Sequence, residues 1–431
     1  MDNFLTPYSE AIQALFARTT NNTKFGLERT EALLSAMGSP HLRLTAIHVA
    51  GTNGKGSVVA TSEALLRATG RKVGRYTSPH LIDFRERITI DGAPIPETDV
   101  LEFLTKWTPF AEKMGATFFE LTTALAFQWF ADNEVDVAVI ETGLGGRLDS
   151  TNVIVPQVAA VTSIGMDHTD LLGDTLEKIA REKAGIFKRG VPAVVGESAP
   201  TIRDLLLRCA AEAEAAPIVV LDDVYRIRDV RVGASGTSFS VHHAEGSFDI
   251  TTPLIGEHQA RNTVTALTTV AALGNEFLPP VNQISRALAD TFLPGRFQRQ
   301  GKFIFDVAHN PAGAATIART LQSLQPPAGR PRTALVAVLA DKDWRGIITA
   351  LAPAVDGFLF TNAPSAPAER RWNPAEAHAF AREQGLETEL EPDLDCALAR
   401  AENRGGTLLI TGSFHTVGDS MARLQVSPFA A

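Results

Sequence analysis

Residues 50–57 constrain the fold more than any other stretch, because they join a predicted strand to a predicted helix. The apolar run 44–50 is typical of a buried strand, and the apolar spacing of residues 58–66 predicts a helix. The stretch between them, AGTNGKGS, has three glycines, one lysine and two hydroxyls. Free N–H groups at a helix N-terminus favour an anion, and a lysine can reach terminal phosphates. This predicts a phosphate-binding loop. The fit to the common pattern is partial, since Gly56 precedes the hydroxyl, and a plain glycine-rich turn is the alternative.

Composition limits the classes of protein to which the chain can belong. Its 431 residues, 45% of them apolar and 21% charged, can bury a large core and exceed the usual length of one domain. The net charge of −9 is spread along the chain, which argues against nucleic acid or an anionic membrane as partner. Cys209 and Cys396 lie far apart, and no stretch approaches the roughly 20 apolar residues that span a bilayer. We therefore expect a cytoplasmic protein, and we expect a monomer.

The order of predicted strands and helices indicates an α/β fold with two domains. Strands and helices alternate from the phosphate loop up to residue 221, which favours a mostly parallel sheet covered on both faces. Residues 224–253 change to short alternating strands, typical of an antiparallel appendage. A second alternation follows a break at Pro294. We thus predict a P-loop-type domain with its appendage over residues 1–295, and a smaller Rossmann-like domain over residues 296–431.

Polar side chains follow several predicted strands, at the edge where open parallel sheets bind ligands. Ser78 and Glu141 lie at the carboxyl ends of apolar runs of the first domain, and His168 lies in the loop that follows another such run. A carboxylate placed after a strand and beside a phosphate loop is typical of a magnesium site. Lys183, on the next predicted helix, would point into the same cleft. A turn acid, a structural histidine and a solvated helix face are the respective alternatives.

Polar strand ends recur in the second domain, at Asp306 with His309 and at Ser413. Two domains of this kind describe an enzyme that closes over its substrates and excludes water. A kinase, an ATPase and an ATP-dependent ligase all remain open on these grounds. The second domain favours the ligase, because a ligase must hold a third substrate.

Seven motifs occur in order between residues 23 and 416. They are GTNGKGS at 51–57, TSPHL at 77–81, ETGLGGRLD at 141–149, DHT at 167–169, REKAGI at 181–186, PGRF at 294–297 and DVAHNP at 306–311. Together they resemble the motif series of the bacterial folylpolyglutamate synthase/dihydrofolate synthase family, within the Mur ligase superfamily. In such enzymes the first domain binds ATP and the second is the glutamate-ligase domain.

The resemblance implies a reaction with an acyl-phosphate intermediate. ATP would phosphorylate a carboxylate of dihydropteroate, or of tetrahydrofolate and its polyglutamates, and the amino group of L-glutamate would then form an amide. Residues 23–26 depart from the Asp-Leu-Gly-Leu version associated with bifunctional relatives. A synthase that only extends polyglutamate tails is therefore the nearest alternative, and a P-loop kinase or ATPase is the more distant one.

The resemblance also implies roles for individual residues. Those implied in ATP binding are Thr52, Asn53, Gly54, Lys55, Gly56, Ser57, Asn262, Arg296 and Asp306. Those implied in holding Mg²⁺, with two ions expected, are Ser57, Ser78, Glu141 and His168, and Lys183 would be carbamylated beside the metal. Those implied in substrate binding are Thr23, Lys24, Phe25, Gly26, Thr117, Phe118, Phe119, Glu120, Leu148 and Ser413. Those implied in catalysis are Lys55, Lys183, His168, Asp306 and His309.

Overall fold

The computed structural model describes residues 6–17 and 26–429. The chain divides into two compact units. The first contains the described residues up to 79 together with residues 84–224 and 264–283, and the second contains residues 80–83, 225–263 and 284–429. Within the described ranges, no helix combines the length and the apolar character needed to cross a bilayer.

An eight-stranded sheet forms the centre of the first unit. Its strands are β1 (Ala46–Ala50), β2 (Val73–Tyr76), β3 (Ile88–Ile90), β4 (Ala93–Pro94), β5 (Val137–Glu141), β6 (Val158–Val161), β7 (Ala193–Val195) and β8 (Ile218–Val220). Their order is β4-β3-β2-β5-β1-β6-β7-β8. The six strands from β2 to β8 in this order run parallel, and β3 and β4 add an antiparallel edge. Strands buried on both faces have continuous apolar runs, which explains the sequences of β1 and β5.

Helices cover both faces of this sheet. They are α1 (Pro7–Phe16), α2 (Glu28–Ala36), α3 (Lys55–Arg67), α4 (Glu97–Lys113), α5 (Phe118–Asp132), α6 (Thr169–Leu172), α7 (Leu176–Ala184), α8 (Pro200–Glu212) and α9 (Leu221–Val224), with α10 (Glu257–Leu273) having residues in both units. One core contains Tyr76, Phe127 and Phe130, and another contains Ile186 and Leu206. The predicted P-loop-type α/β sheet is confirmed.

The second unit has two sheets. A three-stranded antiparallel sheet consists of β9 (Arg226–Gly233), β10 (Gly236–His243) and β11 (Gly246–Thr252). The strands of the other sheet are β12 (Gln298–Gln300), β13 (Phe303–Asp306), β14 (Arg332–Val336), β15 (Gly357–Phe360), β16 (Thr388–Leu390) and β17 (Thr407–Thr411). Their order is β12-β13-β17-β14-β15-β16, parallel except for β12. The helices of this unit are α11 (Ile284–Leu288), α12 (Pro311–Ser323), α13 (Trp344–Leu351), α14 (Pro374–Glu383), α15 (Leu394–Glu402) and α16 (Phe414–Arg423).

The antiparallel appendage forms as predicted, and its three strands lie in the second compact unit. Val232 of β9 and Ile255 lie in the same apolar core as Leu409 of β17. The N–H of Gln325 also donates to the carbonyl of Val232 at 2.8 Å. These contacts join the appendage to the core of the second unit, and the predicted domain division at residue 295 stays a prediction.

Candidate active site

The phosphate loop of the first unit has a backbone conformation that requires glycine. It leaves β1 after Ala50 and enters α3 at Lys55. Gly51 has φ 153° and Gly54 has φ 90°, both in the region that disfavours residues with a side chain. A Cβ atom at Gly51 would also lie 1.8 Å from Oγ1 of Thr162. The local sequence thus allows the backbone to turn tightly at the start of a 13-residue helix.

Hydrogen bonds from the end of β6 hold this loop in place. The N–H of Thr52 donates to the carbonyl of Ser163 at 2.7 Å, and the Thr52 hydroxyl donates to the carbonyl of Gly165 at 3.1 Å. The hydroxyls of Thr162 and Ser163 both donate to the carbonyl of Asn53, at 2.8 and 3.0 Å. The side chain of Thr52, predicted to contact ATP, therefore supports the loop itself. The result is a preorganised loop.

Lys55 lies across the loop that precedes it. Its Nζ donates to the carbonyls of Gly51 at 3.0 Å and Thr52 at 3.2 Å, and lies 3.9 Å from Oε1 of Glu141. Glu141 ends β5 and is 4% exposed, and its Oε2 accepts from the N–H of Ser78 at 3.4 Å. The structure thus brings together Lys55, Glu141 and Ser78, whose proximity was predicted from strand ends. Ser57, in the first turn of α3, is buried.

Lys183 reaches the same loop from the last turn of α7. Its Nζ donates to the carbonyl of Gly51 at 2.9 Å, and the side chain is buried. Burial, followed by the charge of Lys55, lowers the pKa of Lys183 to about 7, with Asp167 and Asp149 acting in the opposite direction. The sequence left open that Lys183 lies on a solvated face of its helix. In the structure its side chain is instead buried against the phosphate loop.

His168 lies before α6 with φ 50° and a partly exposed ring. The ring Nε2 lies 3.9 Å from Oδ1 of Asp167, and the backbone N–H of His168 donates to the same oxygen at 2.9 Å. The left-handed backbone at a non-glycine residue is uncommon and turns the chain sharply after the acid. Its predicted metal contact stays a prediction.

The donor atoms near the loop suit a magnesium ion. No group of three His, Cys, Asp or Glu side chains among the described residues has a metal-binding arrangement. Mg²⁺ does not need one, because it is held through one or two carboxylates while it keeps waters and phosphate oxygens. Glu141, with the hydroxyls of Ser57 and Ser78, offers hard oxygen donors of this kind.

Two of the residues predicted to bind the substrate have structural roles in the first unit. Thr117 and Glu120 form the capping box of α5: the N–H of Thr117 donates to Oε2 of Glu120 at 2.6 Å, and the N–H of Glu120 donates to Oγ1 of Thr117 at 3.3 Å. Nε of Arg29 also donates to Glu120 at 2.9 Å. Gly26 is described, with φ 127°. The predicted residues Thr23, Lys24 and Phe25 lie outside the described residues.

The two phenylalanines that follow Thr117 differ in accessibility. Phe118 is 8% exposed and stacks on Phe16 with ring centroids 5.1 Å apart. Phe119 is only partly buried and lies against Gly143, where a Cβ atom would be 2.3 Å from its Cζ. Leu148 is also partly exposed. Phe119 is therefore the ring that borders the glycine-rich stretch after Glu141, and Phe118 belongs to the core.

In the second unit, Asp306 lies at the end of β13. Its Oδ2 accepts from the N–H of Phe297 at 2.9 Å, and its Oδ1 accepts from the N–H of Ala308 at 2.9 Å. Desolvation raises the pKa of this carboxyl group, while the positive charge of Arg296 lowers it. Asp306 thus joins the PGRF turn to the end of the strand.

An aromatic ring connects other predicted residues of this unit. The Arg296 guanidinium carbon lies 5.0 Å from the ring centroid of Phe414, and the His309 ring lies 5.8 Å from the same ring. Ser413 is buried and caps α16 by accepting from the N–H of Thr416 at 3.0 Å. Asn262, on α10, donates to Oε1 of Gln259 at 3.0 Å. Arg296 and His309 are thus brought together, and the Ser413 hydroxyl serves helix capping.

Two protein-family models match the chain. Residues 49–270 match the Mur ligase middle domain, and residues 295–414 match the Mur ligase glutamate ligase domain. The chain belongs to the Mur ligase family. It is 34% identical to dihydrofolate synthase/folylpolyglutamate synthase of Bacillus subtilis over 97% of this chain and 100% of that protein.

Solved structures of two relatives resemble this Mur ligase over nearly their whole length. Folylpolyglutamate synthase of Mycobacterium tuberculosis, complexed with ADP and AMPPCP, superposes with a TM-score of 0.88 at 33% identity, covering 98% of this chain and 100% of that one. Bifunctional folylpolyglutamate synthase/dihydrofolate synthase of Yersinia pestis, complexed with AMPPNP and Mn ion, gives 0.83 at 31% identity, covering 97% and 98%. This Mur ligase is an ATP-dependent ligase.

One buried network of hydrogen bonds in this Mur ligase was not predicted from the sequence. Nε2 of His48, in the middle of β1, lies 2.8 Å from the Thr151 hydroxyl, which donates to Oδ1 of Asp149. Oδ2 of Asp149 accepts from the N–H of Leu144 at 2.7 Å. Burial lowers the pKa of His48 to about 3, so its ring is neutral at pH 7. A histidine inside an apolar strand was the available signal, because a buried polar group requires a partner.

Proposed function

We propose that this Mur ligase uses ATP to couple L-glutamate to the carboxylates of dihydropteroate and of tetrahydrofolate and its polyglutamates. The observation that carries the proposal is the meeting of Lys55, Glu141 and Lys183 from three separate elements at one phosphate loop. Full-length similarity to dihydrofolate synthase/folylpolyglutamate synthase of Bacillus subtilis supports the choice of substrates.

The chemistry needs two bond exchanges. A carboxylate oxygen attacks the γ-phosphorus of ATP, the bond from that phosphorus to the β–γ bridging oxygen breaks, and ADP leaves. The neutral amine nitrogen of glutamate then attacks the acyl carbon, and the bond from that carbon to the phosphate oxygen breaks. Inorganic phosphate leaves, and one amine proton passes to solvent or to a base. Phosphorylation is needed because it turns a poor leaving oxygen into a good one.

The first unit supplies groups for the phosphoryl step. The backbone N–H groups of Gly54, Gly56 and Ser57, at the start of α3, would bind phosphate oxygens, and the Lys55 ammonium would offset their negative charge. Glu141, Ser57, Ser78 and His168 would hold Mg²⁺, with two ions proposed. When bound, the metal would stabilise charge on the transferring phosphoryl group.

We propose that Lys183 is carbamylated, which would place an anion beside the metal. The Nζ atom is buried at the loop next to a second lysine, a position that disfavours an ammonium ion. Its neutral amine can attack CO₂, forming an N–C bond and releasing one proton. The product carries a negative charge where an ammonium would oppose the metal.

The remaining proposals concern the second substrate and the setting of the enzyme. We propose that His309, Asp306 and the segment at Ser413 form the glutamate side of the site, and that Phe119 and Leu148 contact the pterin-bearing substrate. The spread charge of −9 and the free cysteines support a cytoplasmic protein without nucleic-acid or membrane partners, and we propose that it is a monomer. Sedimentation of the purified chain would test the monomer.

Substrate-dependent ADP release tests the main proposal. Purified protein is given ATP and Mg²⁺ with dihydropteroate or with tetrahydrofolate, each with and without L-glutamate. We expect ADP release and a new amide product with either acceptor, only when glutamate is present. Turnover with tetrahydrofolate alone would identify a synthase that only extends tails, and ADP release independent of glutamate would indicate a kinase or ATPase instead.

A further inference from the structure

The segment that holds Glu141 and the helix that holds Lys183 are joined by a set of hydrogen bonds, here called the loop–helix latch. It consists of Arg147 and Asn152 on the side of the glycine-rich loop, and Glu182 and Gly185 at the end of α7. The N–H of Arg147 donates to the carbonyl of Glu182 at 2.8 Å. Nδ2 of Asn152 donates to the carbonyls of Arg147 at 3.0 Å and Gly185 at 3.1 Å.

The loop–helix latch holds the backbone of α7 at residues before and after Lys183. The last carbonyls of a helix lack partners within the helix, so they need donors from elsewhere. The carbonyls of Lys183 and Ala184 accept from Ile186 and Phe187, in the turn that follows. Those of Glu182 and Gly185, which flank them, accept from the loop–helix latch. The backbone around Lys183 is thereby tied to the loop that begins at Glu141.

Two close backbone approaches show how tightly the surfaces fit. A Cβ atom at Gly146 would lie 2.8 Å from the carbonyl oxygen of Lys183, and one at Gly185 would lie 2.5 Å from Cα of Arg147. Contacts below 3 Å with backbone atoms cannot be relieved by rotating a side chain. Glycine at both positions therefore permits the hydrogen bonds of the loop–helix latch.

Asn152 makes these contacts at a cost. Its amide is buried, and its Oδ1 has no hydrogen-bond partner within the described part of the chain. Rotating the amide would not help, because the atoms facing Nδ2 are both carbonyl oxygens. A buried acceptor without a partner is destabilising, because it has lost its hydrogen bond to water without replacing it. The carbonyl of Asn152 in turn accepts from Nζ of Lys188 at 2.8 Å, a third link to the segment after α7.

We propose that Asn152 is a positioning residue for Lys183, because it fixes the end of α7 to the loop that starts at Glu141. The inference rests on the proposed function, in which Lys183 and Glu141 act together at the phosphate loop. Asn152 acts on both residues indirectly, because its amide donates to the backbone carbonyls of Arg147 and Gly185.

The test compares Asn152→Ala with Asn133→Ala in the full chain. Asn133 is a matched control, because its Nδ2 also donates to a backbone carbonyl of the first unit, that of Trp129 at 2.9 Å. We expect Asn152→Ala to lower kcat for ATP turnover by about tenfold or more, as for other groups that orient metal-site residues, with KM for ATP little changed. Amide hydrogen exchange at Arg147 should become faster. Asn133→Ala should retain kcat and the exchange rate.

A second variant and a separate measurement keep the outcomes distinct. Asn152→Leu keeps roughly the size of the side chain and removes both donated bonds without placing a charge against the two carbonyl oxygens, so it should reproduce the losses if Asn152→Ala fails to fold. A kcat equal to that of Asn133→Ala, or unchanged exchange at Arg147, would overturn the positioning role. Carbamate on Lys183 is observed independently by ¹³C NMR in labelled bicarbonate. Its absence from the wild type would contradict the carbamylation proposal alone, since the positioning role is still decided by kcat and exchange.

Discussion

Replacing Lys183 with methionine should change how the stability of the ligand-free protein depends on pH. Lys183 is 5% exposed, and burial with the nearby charge of Lys55 lowers its pKa from 10.5 to about 7. Between these values the unfolded chain binds a proton that the native protein has released. The contribution of Lys183 to native stability is therefore fully present above pH 10.5 and is lost as the pH falls through about 7.

The magnitude follows from about 1.4 kcal/mol for each pH unit over which unfolding takes up one proton. From pH 7 to pH 9 the native amine changes from half neutral to almost fully neutral, while the unfolded amine stays mostly protonated. The wild type should therefore gain about 2 kcal/mol of unfolding free energy relative to Lys183→Met over this range.

Urea unfolding followed by circular dichroism, at pH 7, 8 and 9 in CO₂-free buffers, measures this difference. Removing CO₂ prevents carbamylation from replacing the amine. Lys178→Met is the control, because Lys178 lies on the same helix with its side chain 62% exposed. A difference between wild type and Lys183→Met that stays constant from pH 7 to pH 9 would refute the burial argument.

Three further substitutions test other parts of the site. Lys55→Ala should abolish ATP turnover while the circular dichroism spectrum is retained, at a cost of several kcal/mol of transition-state stabilisation; a folded variant with the wild-type rate would contradict the phosphate-loop assignment. Gly51→Ala should lower the melting temperature and weaken ATP binding, because its Cβ would lie 1.8 Å from Thr162 Oγ1, and adding Thr162→Ala should recover part of the loss in calorimetry; no effect of the single change would be contrary evidence. Arg296→Ala should lower turnover more than it lowers the melting temperature, since the guanidinium lies over Phe414 beside Asp306; equal losses would indicate a packing role.

The sheet of the first unit could be predicted because its strands are apolar runs that alternate with helices. Placement of Glu141 and Ser78 at strand ends followed from that alternation. Some elements of the second unit were missed. β16 has only three residues and no fully buried one, so its apolar pattern is weak. α15 was missed although its buried residues Leu394, Ala397, Leu398 and Ala401 have helical spacing. The membership of β9 to β11 in the second unit could not be predicted either, since it depends on packing between residues far apart in sequence.

The charged residues of the site could be predicted from the sequence. The roles of polar residues were harder to predict, because the same side chain can bind a ligand or stabilise the fold. Thr117 and Glu120 have the spacing of a capping box, so the sequence itself offered the structural role. Ser413 precedes a helix for which no apolar pattern had been recognised. The structural role of the Thr52 hydroxyl could not be predicted, because its hydrogen-bond partner Gly165 lies on a segment far away in the sequence.

The membership of the three-stranded sheet in the second unit has a consequence for the order in which the chain is made. Val232 shares a core with Leu409, which is synthesised roughly 180 residues later, about 10 to 40 s at typical ribosomal rates. Phe239 and Ile250 of the same sheet are also buried in the finished protein. During that interval the early strands have left the ribosome, but the rest of their core has not yet been made. The second unit must therefore complete its folding late in translation, and a delay in elongation between β11 and β17 would lengthen the exposure of the apolar face of this sheet to other chains.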